Sequence, residues 1–135
     1  MRDFQAVYLY FQGKKYLLDA GKSNSFMENA KSMEVNLMDV ETCILSHGHY
    51  DHSGGFGSYL NENKKVKVFA MKSAPDDYYT MVGGLRYIGI PKEIMERHYE
   101  RFEFIEDITK LDEHVYLIPH NTGSLGRIGE RAKLM

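Results

Sequence analysis

Three imidazoles and one carboxylate fall within six residues of the run Ser46-His47-Gly48-His49-Tyr50-Asp51-His52-Ser53-Gly54-Gly55. Imidazole nitrogen and carboxylate oxygen are the usual protein ligands of zinc, and imidazole also suits iron, nickel and copper. The chain has six histidines in all, so half of them sit in this stretch, which argues against chance clustering. In extended backbone, residues two apart share a face, which places His47, His49 and Asp51 together and requires a bend to bring in His52. One tetrahedral ion held by all four side chains is cramped. Two divalent ions divided between them fit better, His47 and His49 on one, Asp51 and His52 on the other. Ions roughly 3.5–4 Å apart clamp a bridging hydroxide and polarise a carbonyl or phosphoryl group. A closed structural zinc site usually carries cysteine ligands, and the only cysteine here is Cys43. The competing reading, a solvated histidine-rich loop without metal, is disfavoured by the ligand types and their spacing.

The segments around the cluster must hold it still. Thr42-Cys43-Ile44-Leu45 reads as a short buried strand, with Cys43 a small hydrophobe rather than a nucleophile, and Ser53-Gly54-Gly55 reads as a turn. Gly48 lets the backbone pass close to an ion, and Gly54-Gly55 permit a sharp exit. Upstream, residues 5–12 are rich in β-formers, Gly13-Lys14 offers a Gly-first hairpin turn, and residues 15–19 return as an apolar central strand. Asp19 closes that strand, either capping a turn before Gly21 or accepting a hydrogen bond that orients a metal-ligating histidine. Ser25-Phe26-Met27-Glu28 has capping-box form, and Phe26, Met27, Ala30 and Met33 recur at helical spacing, predicting a helix over 25–33.

Downstream, a helix runs from Phe56 to about residues 61–63 and a strand spans 66–71. Pro75-Asp76-Asp77, Gly83-Gly84 and Gly89 punctuate an irregular segment. A short helix spans 91–97 with Pro in its first turn, and His98 follows it as an exposed C-terminal histidine. Strands are predicted at 101–105 and 114–118, joined by residues 106–113.

The spacing His47, His49, Asp51, His52 resembles the H-x-H-x-D-H signature of the metallo-β-lactamase fold hydrolases. Leu17-Leu18-Asp19-Ala20-Gly21 resembles that family's strand ending in Asp-Thr-Gly, with Ala20 where threonine is usual. The wording of 46–55, and the run Val115-Tyr116-Leu117-Ile118-Pro119-His120, is most similar to the dihydropterin-ribofuranosylaminobenzene phosphate synthase-like branch. The resemblance implies an α/β (α+β) fold with a mixed sheet and helices on one face. It implies a metal-dependent hydrolase carrying two divalent ions, zinc first, with iron or manganese as alternatives. Asp51 would be catalytic, orienting the attacking hydroxide or accepting its proton while helping to hold the second ion, and Asp19 would take the orienting role. Tyr78, Tyr79, Arg86 and Tyr87 would line the substrate entrance, against the equal alternative of ordinary hairpin packing. The family adds a later histidine to the first ion, and a bridging aspartate and a final histidine to the second. After His52 this chain offers His98, His114 and His120, of which His120, following Pro119 at a strand end, is best placed. The chain thus resembles the N-terminal half of the αβ/βα sandwich. Its expected partners are a small-molecule substrate and either a second copy or a chain supplying the missing half. The alternative to an enzyme is a non-catalytic relic or subunit that binds metal weakly.

Composition agrees with one ordinary globular domain over 1–135: 43% hydrophobic, 27% charged, formal net charge −2. There is no basic footprint for nucleic acid, which also disfavours an RNA-processing nuclease. No apolar run approaches the ~18–20 residues of a membrane span, and the start lacks a signal-peptide core. A single cysteine suits a cytoplasmic, reducing setting.

Overall fold

The computed structural model describes residues 6–119, which fall into two compact units divided between Phe104 and Ile105. In the first unit, β1 (Val7–Phe11) and β2 (Lys14–Leu18) form an antiparallel hairpin. Its register pairs Phe11 with Lys14, so the turn is Gln12-Gly13 and not Gly13-Lys14. Both turn residues have positive φ, 49° and 81°, the type I′ geometry that matches strand twist.

Helix α1 (Ser25–Ser32) follows. The expected capping box is absent: Asn24 occupies the N-cap, and Ser25 Oγ instead meets Ser23 Oγ at 3.1 Å. A single 3-10 turn (Leu37–Asp39) leads into β3 (Thr42–Ile44). Next come the short helix α2 (Tyr50–Ser53), α3 (Phe56–Glu62) and β4 (Lys67–Met71). A small hairpin of β5 (Tyr79–Thr80) and β6 (Arg86–Tyr87) precedes α4 (Lys92–His98), and β7 (Phe102–Ile105) ends the sheet. The five-stranded sheet has the order β1-β2-β3-β4-β7, with β2, β3 and β4 parallel.

The register separates the sheet's two faces. Leu17, Cys43, Val68 and Ala70 share one face and are buried in a core with Phe26 of α1, Phe56, Tyr59 and Leu60 of α3, and Ile94 of α4. The described helices of the first unit therefore pack on that face. Burial pushes the Cys43 thiol far above its usual pKa, as befits an inert core residue. On the opposite face, Leu18, Ile44, Phe69 and Met71 are half-buried, and Val7, Leu9 and Phe11 are 47%, 45% and 43% exposed. Among the described residues of the first unit, nothing covers this apolar face over β1.

Where α3 meets the 3-10 turn, polar groups are buried but satisfied. Tyr59 Oη donates to the Leu37 carbonyl at 2.7 Å. Asn63 Nδ2 donates to the Leu37 and Val40 carbonyls, and its Oδ1 accepts from the Lys65 and Val66 amides. The Arg101 guanidinium donates to the Leu60, Asn63 and Val66 carbonyls, binding the end of α3 to the approach to β7.

In the second unit, β8 (Thr109–Asp112) and β9 (Val115–Leu117) form an antiparallel hairpin with a bulge between Lys110 and Asp112. The stretch 106–113 is therefore not merely a connector. His120 lies outside the described residues.

Asn63→Ala should lower unfolding free energy by about 2–3 kcal/mol, because it strands buried carbonyls and amides. Urea denaturation of the variant beside Tyr59→Phe, which should cost about 1 kcal/mol, measures it.

Candidate metal centre

The chain runs extended to His49, whose ψ is 151°, and turns helical at Tyr50. The alternation expected of His47, His49 and Asp51 therefore stops at His49. Asp51 and His52 ride on the single turn of α2, closed by His52 and Ser53 amides donating to the His49 carbonyl at 3.1 Å. This turn curls back on His47. One ligand atom from each of His47, Asp51 and His52 lies within 4.8 Å of the others. The His47 and His52 rings are 4.1 Å apart, and His52 Nε2 is 4.0 Å from Asp51 Oδ1. His49 stands beside this triad, its ring 4.7 Å from His47 and edge-on.

Asp19 sits behind the triad. Its φ of 62° is left-handed, a conformation that Asp tolerates better than most residues, and it turns the chain at the end of β2. Its carboxylate, on a residue 5% exposed, takes three hydrogen bonds. Oδ1 accepts from the Ser46 amide at 2.7 Å; Oδ2 accepts from Ser46 Oγ at 2.6 Å and from His52 Nδ1 at 2.7 Å. A carboxylate only accepts, so the Ser46 hydroxyl proton points to Asp19, and Ser46 Oγ is left to accept from His47 Nδ1 at 2.9 Å. Both imidazoles thus carry their proton on Nδ1. Their Nε2 lone pairs remain available, which is the state a metal ligand needs. Burial lowers the His47 pKa, and the neighbouring His52 and His49 add to this against the opposing Asp19 and Asp51, so the neutral ring is favoured.

The glycines act by close approach. A Cβ on Gly48 would stand 1.8 Å from the Ala74 carbonyl oxygen, so the backbone there passes close to Ala74. A Cβ on Gly54 would stand 1.9 Å from the Lys22 carbonyl oxygen, and one on Gly55 2.0 Å from that of Ala20. Gly54 and Gly55 have ordinary right-handed helical φ of −58° and −69°, so no sharp exit is involved.

Of the four entrance residues suggested by resemblance, Tyr78 meets the cluster, its ring 5.4 Å from His49 and its hydroxyl donating to the Ser73 carbonyl. Tyr79 packs on Tyr87 across the β5–β6 hairpin, the Tyr87 hydroxyl donates to the Ile90 carbonyl, and Arg86 is exposed. Lys92 lies over the Tyr87 ring and pairs with Asp77. The hairpin is moored beside the cluster by the Tyr50 amide, which donates to the Ile88 carbonyl at 2.9 Å, and by a bridge between His49 and Gly89. Sequence reasoning did not single out Ser46; its place immediately before the first histidine is the only signal it carries. His98 was read as exposed, yet its Nε2 is buried and without a partner.

A model of the metallo-beta-lactamase superfamily matches residues 2–129. An uncharacterized protein of Methanocaldococcus jannaschii is 36% identical over 106 residues, covering 76% of this chain and 40% of that one. The 7,8-dihydropterin-6-methyl-4-(beta-D-ribofuranosyl)-aminobenzene-5'-phosphate synthase of the same organism is 37% identical over 59 residues, covering 42% of this chain and 20% of its own. Among solved structures, Rm3 metallo-beta-lactamase matches with a TM-score of 0.53 at 21% identity, over 82% of this chain and 42% of that chain. A mutant flavo di-iron protein of Thermotoga maritima matches with a TM-score of 0.53 at 18% identity, over 76% and 23%. These two likenesses are of fold. The chain spans two fifths or less of the length of the curated relatives named here.

In nitrogen-resolved NMR of the metal-free protein near neutral pH, His47 and His52 should both appear as the Nδ1–H tautomer. Asp19→Asn should remove that preference at His52; an unchanged tautomer there would contradict the hydrogen bond.

Proposed function

The chain belongs to the metallo-beta-lactamase superfamily, and from that premise we propose that it is a metal-dependent hydrolase, or the N-terminal half of one, acting on an ester, phosphoester or related bond. The convergence of His47, Asp51 and His52 on one point carries this reading. The donor set fits a divalent cation: two imidazoles whose Nε2 atoms make no hydrogen bond to the frame behind them and one carboxylate, the first two held from behind by Ser46 and Asp19. We assign two ions, zinc first with iron or manganese as alternatives, and place His49 beside His47 as a further ligand. Such ions supply Lewis acidity and lower the proton affinity of bound water.

Around them the chain's own residues have separate tasks. His47 and His52 fix position. Asp51 is about half exposed and faces the solvent that supplies water, so it is suited to orient that water and accept its proton. The Tyr78 ring backs His49 and shields one flank. No helix among the described residues is long and apolar enough to cross a membrane, and we place the activity in the cytoplasm.

The exposed apolar sheet face suggests that the chain does not act alone. We assign that face to a second copy of the chain, seated over Val7, Leu9 and Phe11. A second reading is a subunit that binds metal weakly and is inactive without a complementary polypeptide; it is favoured by the few ligands that two ions would share among the described residues, His47, Asp51 and His52 with His49 beside them.

The purified protein should contain zinc, iron or manganese and turn over a generic phosphodiester or lactone. His47→Ala or Asp51→Ala should cut that rate by more than the about 10–100-fold typical of losing an outer partner; an unchanged rate refutes the assignment. Bound metal with no turnover, and loose zinc binding by calorimetry, would favour the subunit reading.

Light scattering at micromolar concentration should report a dimer or larger, and Leu9→Glu should shift it to monomer. A stable wild-type monomer would exclude self-association through this face.

A further inference from the structure

A cleft of about 510 Å³ opens between the 22–24 loop, α3 and α4. Its lining is polar and basic. Lys22, Arg97 and His98 contribute to it, with Ser58 and Asn61 on α3, and Glu93 is the one carboxylate among them. Among the described residues, neither Lys22 nor Arg97 is in an ion pair or a side-chain hydrogen bond, although lysine and arginine elsewhere pair freely, as Lys15 does with Asp39. The N-cap of α1, Asn24, also lines the cleft and makes no side-chain cap bond.

His98 reports the local charge. Its Nε2 is buried without a hydrogen-bond partner, and an orphaned buried polar atom costs free energy. Burial lowers its pKa, and Arg101, Arg97 and Lys64 lower it further, against a backbone hydrogen bond to Gly57. Three cations thus act on one imidazole in a chain whose formal net charge is −2. The positive potential is local, and within the cleft Glu93 is the single carboxylate set against Lys22 and Arg97.

We propose that this cleft binds a small phosphorylated molecule, with Arg97 and Lys22 gripping its phosphoryl oxygens and Ser58 and Asn61 available to hydrogen-bond the remainder. Arginine's planar fork matches a tetrahedral oxyanion, and lysine adds a mobile point charge. The volume lies within the range of small-molecule sites, which exceeds what bare phosphate needs. Glu93 opposes the anion from the same wall and limits its affinity. The cleft uses none of the side chains of the His47, Asp51, His52 triad, so the proposal stands apart from the hydrolase reading.

The test is calorimetric titration of the full chain with inorganic phosphate, pyrophosphate and ribose 5-phosphate, in the presence of a chelator that strips the triad of metal. Saturable binding of at least one of the three is expected. Arg97→Ala and Lys22→Ala alter exposed residues, and each should weaken binding by about tenfold or more, while Glu93→Gln should tighten it. His47→Ala should leave it unchanged. Absence of saturation at tens of millimolar, or equal affinity in the Arg97→Ala variant with native circular dichroism, overturns the proposal. Loss of binding in His47→Ala alone would move the anion to the metal centre and overturn it equally.

Discussion

The buried carboxylate of Asp19 is the constraint on which the rest of the site depends. An ionised carboxylate removed from water is costly unless donors replace its hydration. Here the donors come from Ser46, through both its amide and its hydroxyl, and from His52. The same group therefore joins three separate pieces of chain: the end of β2, the start of the histidine cluster and the turn of α2. It also fixes two tautomers, one directly and one through the Ser46 hydroxyl. The aim of the cluster is the consequence of one acceptor placed at a left-handed residue, while the neutral state of His47 is favoured by burial and its neighbouring imidazoles against that acceptor's charge.

Backbone contact supplements this polar frame. The Ala20 amide donates to the His52 carbonyl and the Gly55 amide to the Gly21 carbonyl, so the loop after β2 lies directly on α2 and the start of α3. Such an approach leaves no room for side chains at 54 and 55. Rigidity here rests on close-packed main chain more than on bulky apolar side chains, which lie deeper, between α3 and the sheet.

Much of this was legible in the sequence, for stated reasons. Ligand-type residues at fixed spacing marked the cluster, and apolar runs marked the central strands. Asp19 was legible only as one of two roles, because its acceptor function needs a partner 27 residues away. α2 was missed because one helical turn is too short to display a period. The capping box at Ser25 failed because a neighbouring serine competed for its hydroxyl. The hairpin turn slipped by one residue because Gln12 accepts a left-handed conformation that sequence preference reserves for Gly, Asn or Asp. β8 was hidden in a polar stretch whose pairing with β9 carries a bulge, and a bulge interrupts alternation. Burial of the His98 Nε2 atom depends on helix packing that no local pattern encodes.

The glycine contacts also say where this scaffold is free to diversify. Positions 48, 54 and 55 admit no side chain, so the floor beneath the histidines is closed to change. The tip of the β5–β6 hairpin is the opposite case. Met81, Val82 and Leu85 there are largely exposed, while Gly83 and Gly84, although in open space, hold φ of 75° and 104° that favour glycine. Descendants of this chain acquiring new selectivity would be expected to rewrite that tip, while the floor descends unaltered.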